Sequence, residues 1–261
     1  MPKRTTIRDI QKKVDGGGRV SMVTAYDAFS ARLVDAAGID MALVGDSVGS
    51  TVQGRADTLA VTMQQMLYHT EIVARCAPGP LVVGDMPFGS FQSSPDEAIS
   101  NAVNFLKAGA NAVKLEGGAA VGALVARMTR AGIPVVGHLG YTPQSVNQTS
   151  GARLNKEKED LLQNAQRLAD AGAFAIVLEM VPAAIAKEVT AAVNIPTIGI
   201  GAGAGCDGQV LVFFDMLGFS PEFSPRFLKR YMDFHGQALA ALKQYKSDVE
   251  DGSFPAKEHS Y

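Results

Sequence analysis

Apolar residues in this chain gather in short, nearly unbroken runs bounded by Gly, Pro or Asn. They are RVSMVTAY (19–26), DMALVGDS (40–47), PLVVGDMP (80–87), NAVKLEGG (111–118), IPVVGHLG (133–140), AFAIVLEM (173–180), IPTIGIGAG (195–203) and GQVLVFFD (208–215). Runs of Val, Ile and Leu without polar alternation predict strands covered on both faces. Most are followed by a stretch of helical periodicity. Asp27 reads as the cap of AFSARLVDAAG, which Gly38 stops. Ser94-Pro95 with Glu97 opens the helix that Gly109 ends. Residues 159–171 and 182–193 continue the alternation. The phrases AGID, AGAN, AGIP and AGAF each stand just before a strand, so one helix-stop device is reused.

Repeated strand–helix units imply right-handed parallel crossovers, and eight of them close a barrel. The pattern therefore predicts an α/β fold: a (β/α)₈ TIM barrel forming a single domain over 1–261. A short extra helix over 6–14 precedes the first strand. Residues 246–261 read as a polar surface tail. A doubly wound open sheet is the alternative built from the same units.

Composition narrows the class. Of 261 residues 47% are hydrophobic but 7% aromatic, with no Trp, so small aliphatics build the core. A net charge of −2 without a basic stripe argues against a nucleic-acid or anionic-membrane partner. Cys76 and Cys206 form no C-x-x-C pair and fit a reducing compartment. No apolar run approaches the ~18 residues of a membrane span, and the basic N-terminus lacks an apolar stretch behind it. A cytoplasmic protein is expected.

Candidate chemistry lies where strands end. Asp46 follows the second run and Asp85 the third; the fourth carries Lys114 and Glu116, the fifth His138 and the sixth Glu179. In a barrel these ends meet on one rim, where such enzymes keep their active sites. Lys114 and Glu116, two apart, share one strand face, while Val113 and Leu115 face the helices. Gly45, Gly84 and Gly137 precede Asp46, Asp85 and His138, so something approaches the backbone closely there. A lone Asp after a strand is often a helix cap and a lone His often a core residue. Six ionisable groups at one rim would each incur the cost of burial, which points to function.

Carboxylate oxygens suit Mg²⁺, which takes one or two protein carboxylates and keeps water. Asp46 and Asp85 read as direct ligands and Glu116 as one acting through water. Such an ion can chelate a 2-oxo acid and polarise its carbonyl. Lys114 adds positive charge to substrate oxygens. Glu179 is the candidate base, with burial among Val177, Leu178 and Met180 raising its pKa. Ser47 either binds a substrate carboxylate or caps a helix. Tyr26 and Asp27 either border the pocket or begin the first helix. GIGAGAG (199–205) lacks a dinucleotide-binding context, and tight turns explain its glycines.

The blocks TAYD (24–27), LVGDSVGSTVQG (43–54), YHT (68–70), GDMPF (84–88), VKLEGG (113–118), GHLGYTPQSV (137–146), LEMVP (178–182), IGIGAGAGCDGQVLV (198–212) and FPAKEHSY (254–261) resemble the ketopantoate hydroxymethyltransferase family. The resemblance implies a (β/α)₈ barrel using Mg²⁺, assembled as a homodecamer. The implied reaction transfers a hydroxymethyl group from 5,10-methylenetetrahydrofolate to 3-methyl-2-oxobutanoate, giving 2-dehydropantoate. By motif, Asp46, Asp85 and Glu116 match metal residues. Asp46, Ser47, Asp85, Lys114 and His138 match substrate contacts, and Glu179 matches the proton acceptor. One stretch departs from the family pattern: NQTSGARLNKEKED (147–160) replaces a longer Gly-rich loop with a basic residue. Rival readings are a lyase of the phosphoenolpyruvate mutase and isocitrate lyase type, a Schiff-base aldolase through Lys114, and a non-catalytic barrel.

Overall fold

A computed structural model describes residues 4–149 and 157–261. The departing loop lies largely in 150–156, outside the described residues. Two compact units divide the chain, Met1–Val212 and Phe213–Tyr261.

The first unit is a closed barrel of eight parallel strands in sequence order, with the last pairing with the first. They are β1 (Val20–Thr24), β2 (Met41–Val44), β3 (Leu81–Asp85), β4 (Ala112–Glu116), β5 (Val135–Gly140), β6 (Ala175–Glu179), β7 (Thr197–Ile200) and β8 (Gly208–Leu211). Each falls inside its predicted run. Inward positions Met22, Met41, Leu43, Leu81, Val83, Ala112, Val136, Ala175, Val177, Ile198 and Val210 form one core. Helix α1 (Ile7–Asp15) is the predicted extra helix, opened by a Thr6–Asp9 capping box. Its Ile10 joins the first inward residues of the strands and closes that end of the barrel. Burying such a side chain contributes about 1.5–3 kcal/mol.

Around the strands lie α2 (Ala28–Ala36), the short α3 (Val48–Thr51), α4 (Met63–Cys76), α5 (Pro95–Lys107), α6 (Ala119–Arg130), the short α7 (Val146–Thr149), α8 (Lys158–Asp170) and α9 (Ala183–Ala192). Asp27 caps α2 through Phe29 and Ser30 N–H, and Ser94 caps α5 with Pro95 in its first turn. The reused Ala-Gly device has one physical form. Gly38, Gly109, Gly132 and Gly172 all take positive φ. In each case the next N–H returns to a helical carbonyl five residues back: Ile39 to Val34, Ala110 to Phe105, Ile133 to Met128, Ala173 to Leu168. This is the Schellman closure, which glycine adopts without a Cβ penalty.

Of the three glycines before rim residues, Gly84 and Gly137 face helices, while a Cβ on Gly45 would lie 2.8 Å from Ser47 Oγ. A Cβ on Gly84 would lie 2.3 Å from the Phe105 ring of α5, and one on Gly137 2.7 Å from Leu168 of α8. The close approach is made by the helix layer, which lets α5 and α8 sit tightly on β3 and β5. Between β7 and β8, residues 201–207 carry turns rather than a helix, so the Gly-rich segment serves as a compact crossover. Gly203, at positive φ, would put a Cβ 2.4 Å from Ala183.

The second unit corrects the length of the eighth strand and adds helices to the expected tail, which is mostly exposed. The eighth strand stops at Leu211, and Phe213–Met216 form a short helix, α10. Phe213, Phe214, Phe219 and Phe234 stack or meet edge to face, an aromatic cluster that an extended strand could not gather. The expected tail is also largely helical: α11 (Phe234–Asp251) reaches past residue 246, and Lys257–His259 form a 3₁₀ turn. Among the described residues no helix is long and apolar enough to cross a membrane, and both cysteines are free.

Candidate active site

The six rim residues converge. Strand register sets Asp85 beside Lys114 and Glu116 beside His138 on neighbouring strands. Asp46, two residues past β2, donates its backbone N–H to Asp85 Oδ2 at 3.1 Å. Lys114 Nζ lies 2.7 Å from Asp85 Oδ1. His138 Nδ1 lies 3.3 Å from Lys114 Nζ and 3.5 Å from Glu116 Oε1, and its Nε2 lies 3.3 Å from Glu179 Oε2. All are buried except Glu179, whose side chain keeps 19% of its surface and so sits at the open edge.

Charge in this cluster is unbalanced. Burial, then the Asp85 charge, pushes the Asp46 carboxyl well above its usual range; burial also raises Asp85, against the pull of Lys114. Burial resists a charged Lys114, but Asp85, Glu116 and Asp46 outweigh it and hold the ammonium more firmly than usual. For His138, burial and Lys114 oppose protonation, yet Glu116 and Glu179 push its pKa up to about 9. Glu116 is held below the usual range: burial opposes ionisation, while His138 and Lys114 overcome it. Four carboxyl groups face one ammonium and one imidazolium, a formal excess of two acids, and the raised values of Asp46 and Asp85 express the cost of ionising them all together.

Asp85 Oδ1 is buried and held by Lys114 Nζ, whereas Glu116 Oε1 is buried with only the longer contact to His138 Nδ1. Hard carboxylate oxygens in formal excess over the cationic side chains beside them fit a divalent cation. Among the described residues no three His, Cys, Asp or Glu side chains are gathered closely enough to hold an ion by themselves. A carboxylate set of this kind fits a cation that takes part of its shell from water, as Mg²⁺ does.

Ser47 and Tyr26 meet each other beside the cluster. Ser47 makes no side-chain cap to α3; its Oγ lies 2.7 Å from the Tyr26 hydroxyl. Tyr26 is fully buried, and its carbonyl lies 2.6 Å from His69 Nδ1. Asp27 is a helix cap. Two features had no signal in the residue pattern. Met180, next to Glu179, takes φ +50°, and its N–H bonds Ile200 O at 2.9 Å. Such backbone strain costs about 1–3 kcal/mol and clusters at functional sites. The other is Gln144, in the 3₁₀ turn Pro143–Ser145 after β5, which bonds both Asp46 and Glu116.

A closed parallel barrel with ionisable groups converging at its strand ends defines the class: a (β/α)₈-barrel enzyme. Comparison with known proteins is more specific. The pattern of the family described as Ketopantoate hydroxymethyltransferase matches residues 4–257. A 3-methyl-2-oxobutanoate hydroxymethyltransferase of Thermotoga neapolitana is 53% identical over 254 residues, covering 96% of this chain and 94% of the relative. One from Desulforapulum autotrophicum is 51% identical over 262 residues, covering 100% of both. The chain belongs to the ketopantoate hydroxymethyltransferase family and carries that family's activity, in pantothenate biosynthesis. Similar solved structures include a phosphonopyruvate hydrolase complex with oxalate and Mg²⁺ (TM-score 0.64, 13% identity, 97% of this chain and 92% of that one). A 2,3-dimethylmalate lyase of the PEP mutase/isocitrate lyase superfamily gives TM-score 0.61 at 18% identity, covering 99% and 93%. At such identities the likeness shows the fold alone, so the lyase reading is set aside.

Proposed function

We propose that this enzyme acts on 3-methyl-2-oxobutanoate with 5,10-methylenetetrahydrofolate as one-carbon donor. Asp46 and Asp85 would hold Mg²⁺ directly, with Glu116 acting through water. The observation that carries this reading is the buried rim cluster, in which carboxyl groups from four strand ends converge on one ammonium and one imidazole. When bound, Mg²⁺ supplies Lewis acidity to the keto oxygen.

The chain's own residues account for the rest. Ser47, steadied by Tyr26, and Lys114, kept cationic by its acids, bind and orient the substrate oxygens together with Asp46, Asp85 and His138. Glu179, at the open edge, accepts the proton from C3 of the keto acid. The electron pair left at C3 forms the new bond to the one-carbon unit, whose two bonds to the folate nitrogens break. Water supplies the hydroxyl group, and its second proton and the one taken from C3 go to those nitrogens, releasing tetrahydrofolate. His138, as imidazolium, steers Glu179 by the 3.3 Å contact and compensates its charge. An ammonium fixed by three carboxylates is a poor Schiff-base nucleophile, which weighs against the aldolase reading.

Deuterium exchange at C3 of 3-methyl-2-oxobutanoate tests the role of Glu179. Glu179→Gln should lose exchange while retaining Mg²⁺ affinity; exchange at the parent rate would remove Glu179 as the base. Operation of 1–261 as one catalytic domain, assembly as a homodecamer and a cytoplasmic location complete the proposal. Sedimentation of the purified chain tests the assembly.

A further inference from the structure

Gln144 is buried, and its backbone N–H and side-chain amide have defined partners at the rim. Its backbone N–H donates to Glu116 Oε2 at 3.0 Å. Its Nε2 donates to Asp46 Oδ2 and to Met86 O, each at 2.9 Å. Its Oε1 accepts from Gln92 Nε2 at 3.2 Å, and Gln92 Oε1 in turn accepts from Gly89 N–H at 2.7 Å. The amide orientations are forced. Asp46 Oδ2 and Met86 O are both acceptors, so the nitrogen of Gln144 must face them. A backbone N–H faces Gln92 Oε1, so the nitrogen of Gln92 must face Gln144.

A chain of hydrogen bonds thus runs from the loop after β3, through Gln92 and Gln144, to carboxylates from β2 and β4. It occupies one oxygen on each of Asp46 and Glu116. On Glu116 the other oxygen, Oε1, faces His138 Nδ1 at 3.5 Å. A neutral amide suits this place: it supplies donors without adding charge to a cluster already in negative excess, and it does not compete as an ammonium would.

We propose that Gln144 is a positioning residue, clamping one oxygen of Asp46 and of Glu116 so that their carboxylates face the divalent cation in a fixed orientation. Gln92 sets the amide of Gln144. The inference rests on the Mg²⁺ reading above.

The test is Mn²⁺ affinity, by electron paramagnetic resonance on the full-length enzyme without substrate, with melting temperature recorded in parallel. Gln144→Met keeps the length and loses the donors. Its Mn²⁺ Kd should rise roughly tenfold or more, in the range of lost outer-shell partners. Gln92→Leu leaves the donors but frees the amide and should raise Kd by a smaller factor, and Asp46→Asn should abolish tight binding. Folded Gln144→Met with parent affinity would overturn the inference while leaving the metal site standing, provided Asp46→Asn still loses the ion. If Gln144→Met does not fold, parent affinity in Gln92→Leu overturns it instead. Parent enzyme binding Mn²⁺ no better than Asp46→Asn would refute the metal reading itself, and the positioning role with it.

Discussion

Single residues in this enzyme take their properties from neighbours on other strands. His138 is an ordinary imidazole until β4 and β6 set a carboxylate at each end of it; those acids hold its proton against burial and against Lys114. Asp215, in the second unit, shows the reverse case of a carboxylate without enough compensation. Desolvation raises it to about 6, and Arg230 opposes this incompletely. Its folded-state value exceeds the ordinary 3.8, so the folded form binds the proton more tightly. The associated stability is present at acid pH and is lost as pH rises through about 6. Asp215→Asn should therefore gain stability over the parent at pH 8 and lose that advantage near pH 4. Urea melts at the two pH values measure this, and an advantage independent of pH would contradict it.

At the scale of elements, the recurring Ala-Gly stop makes helix ends comparable. Gly38 and Gly109 both need positive φ, but a Cβ on Gly38 meets nothing within 4 Å, whereas one on Gly109 meets Ala74 Cβ at 2.7 Å. Gly38→Ala should cost about 1–2 kcal/mol from conformation alone. Gly109→Ala should cost distinctly more, since α4 must also give way to α5. Equal losses in denaturant titrations would show that backbone conformation alone sets the price. The same logic governs Gly84 and Gly137. Sequence marks them as places of close approach, but whether a ligand or a helix approaches depends on the outward direction of those positions in the barrel. Phe105 and Leu168 occupy that direction.

Over the whole barrel, stability and chemistry occupy opposite ends. Ile10 closes the end where the strands begin, and the ionisable cluster occupies the end where they finish. Ile10→Ala should cost about 2–5 kcal/mol through the cavity it leaves. At a temperature well below melting, kcat should stay at the parent level. A comparable loss of kcat in fully folded protein would mean that the two ends are coupled.

Much of this was legible in the chain before any fold was known. Unbroken apolar runs give eight buried strands, the period of two puts Lys114 and Glu116 on one face, and Ala-Gly punctuation ends the helices; all of these are local properties. Strand ends of a parallel barrel share a rim by topology, so Asp46, Asp85, His138 and Glu179 could be grouped without coordinates. Other features were not legible. A Phe-Phe pair reads equally as strand or helix until its aromatic partners are in place, so β8 was overextended. Gln144 stands in a turn, with a side chain whose meaning depends on acids 98 and 28 positions away. Hydrophobic periodicity and turn chemistry act over a few residues and are written in the chain. The direction of each hydrogen bond and the shift of each pKa arise from distances between segments remote in sequence, which folding alone decides.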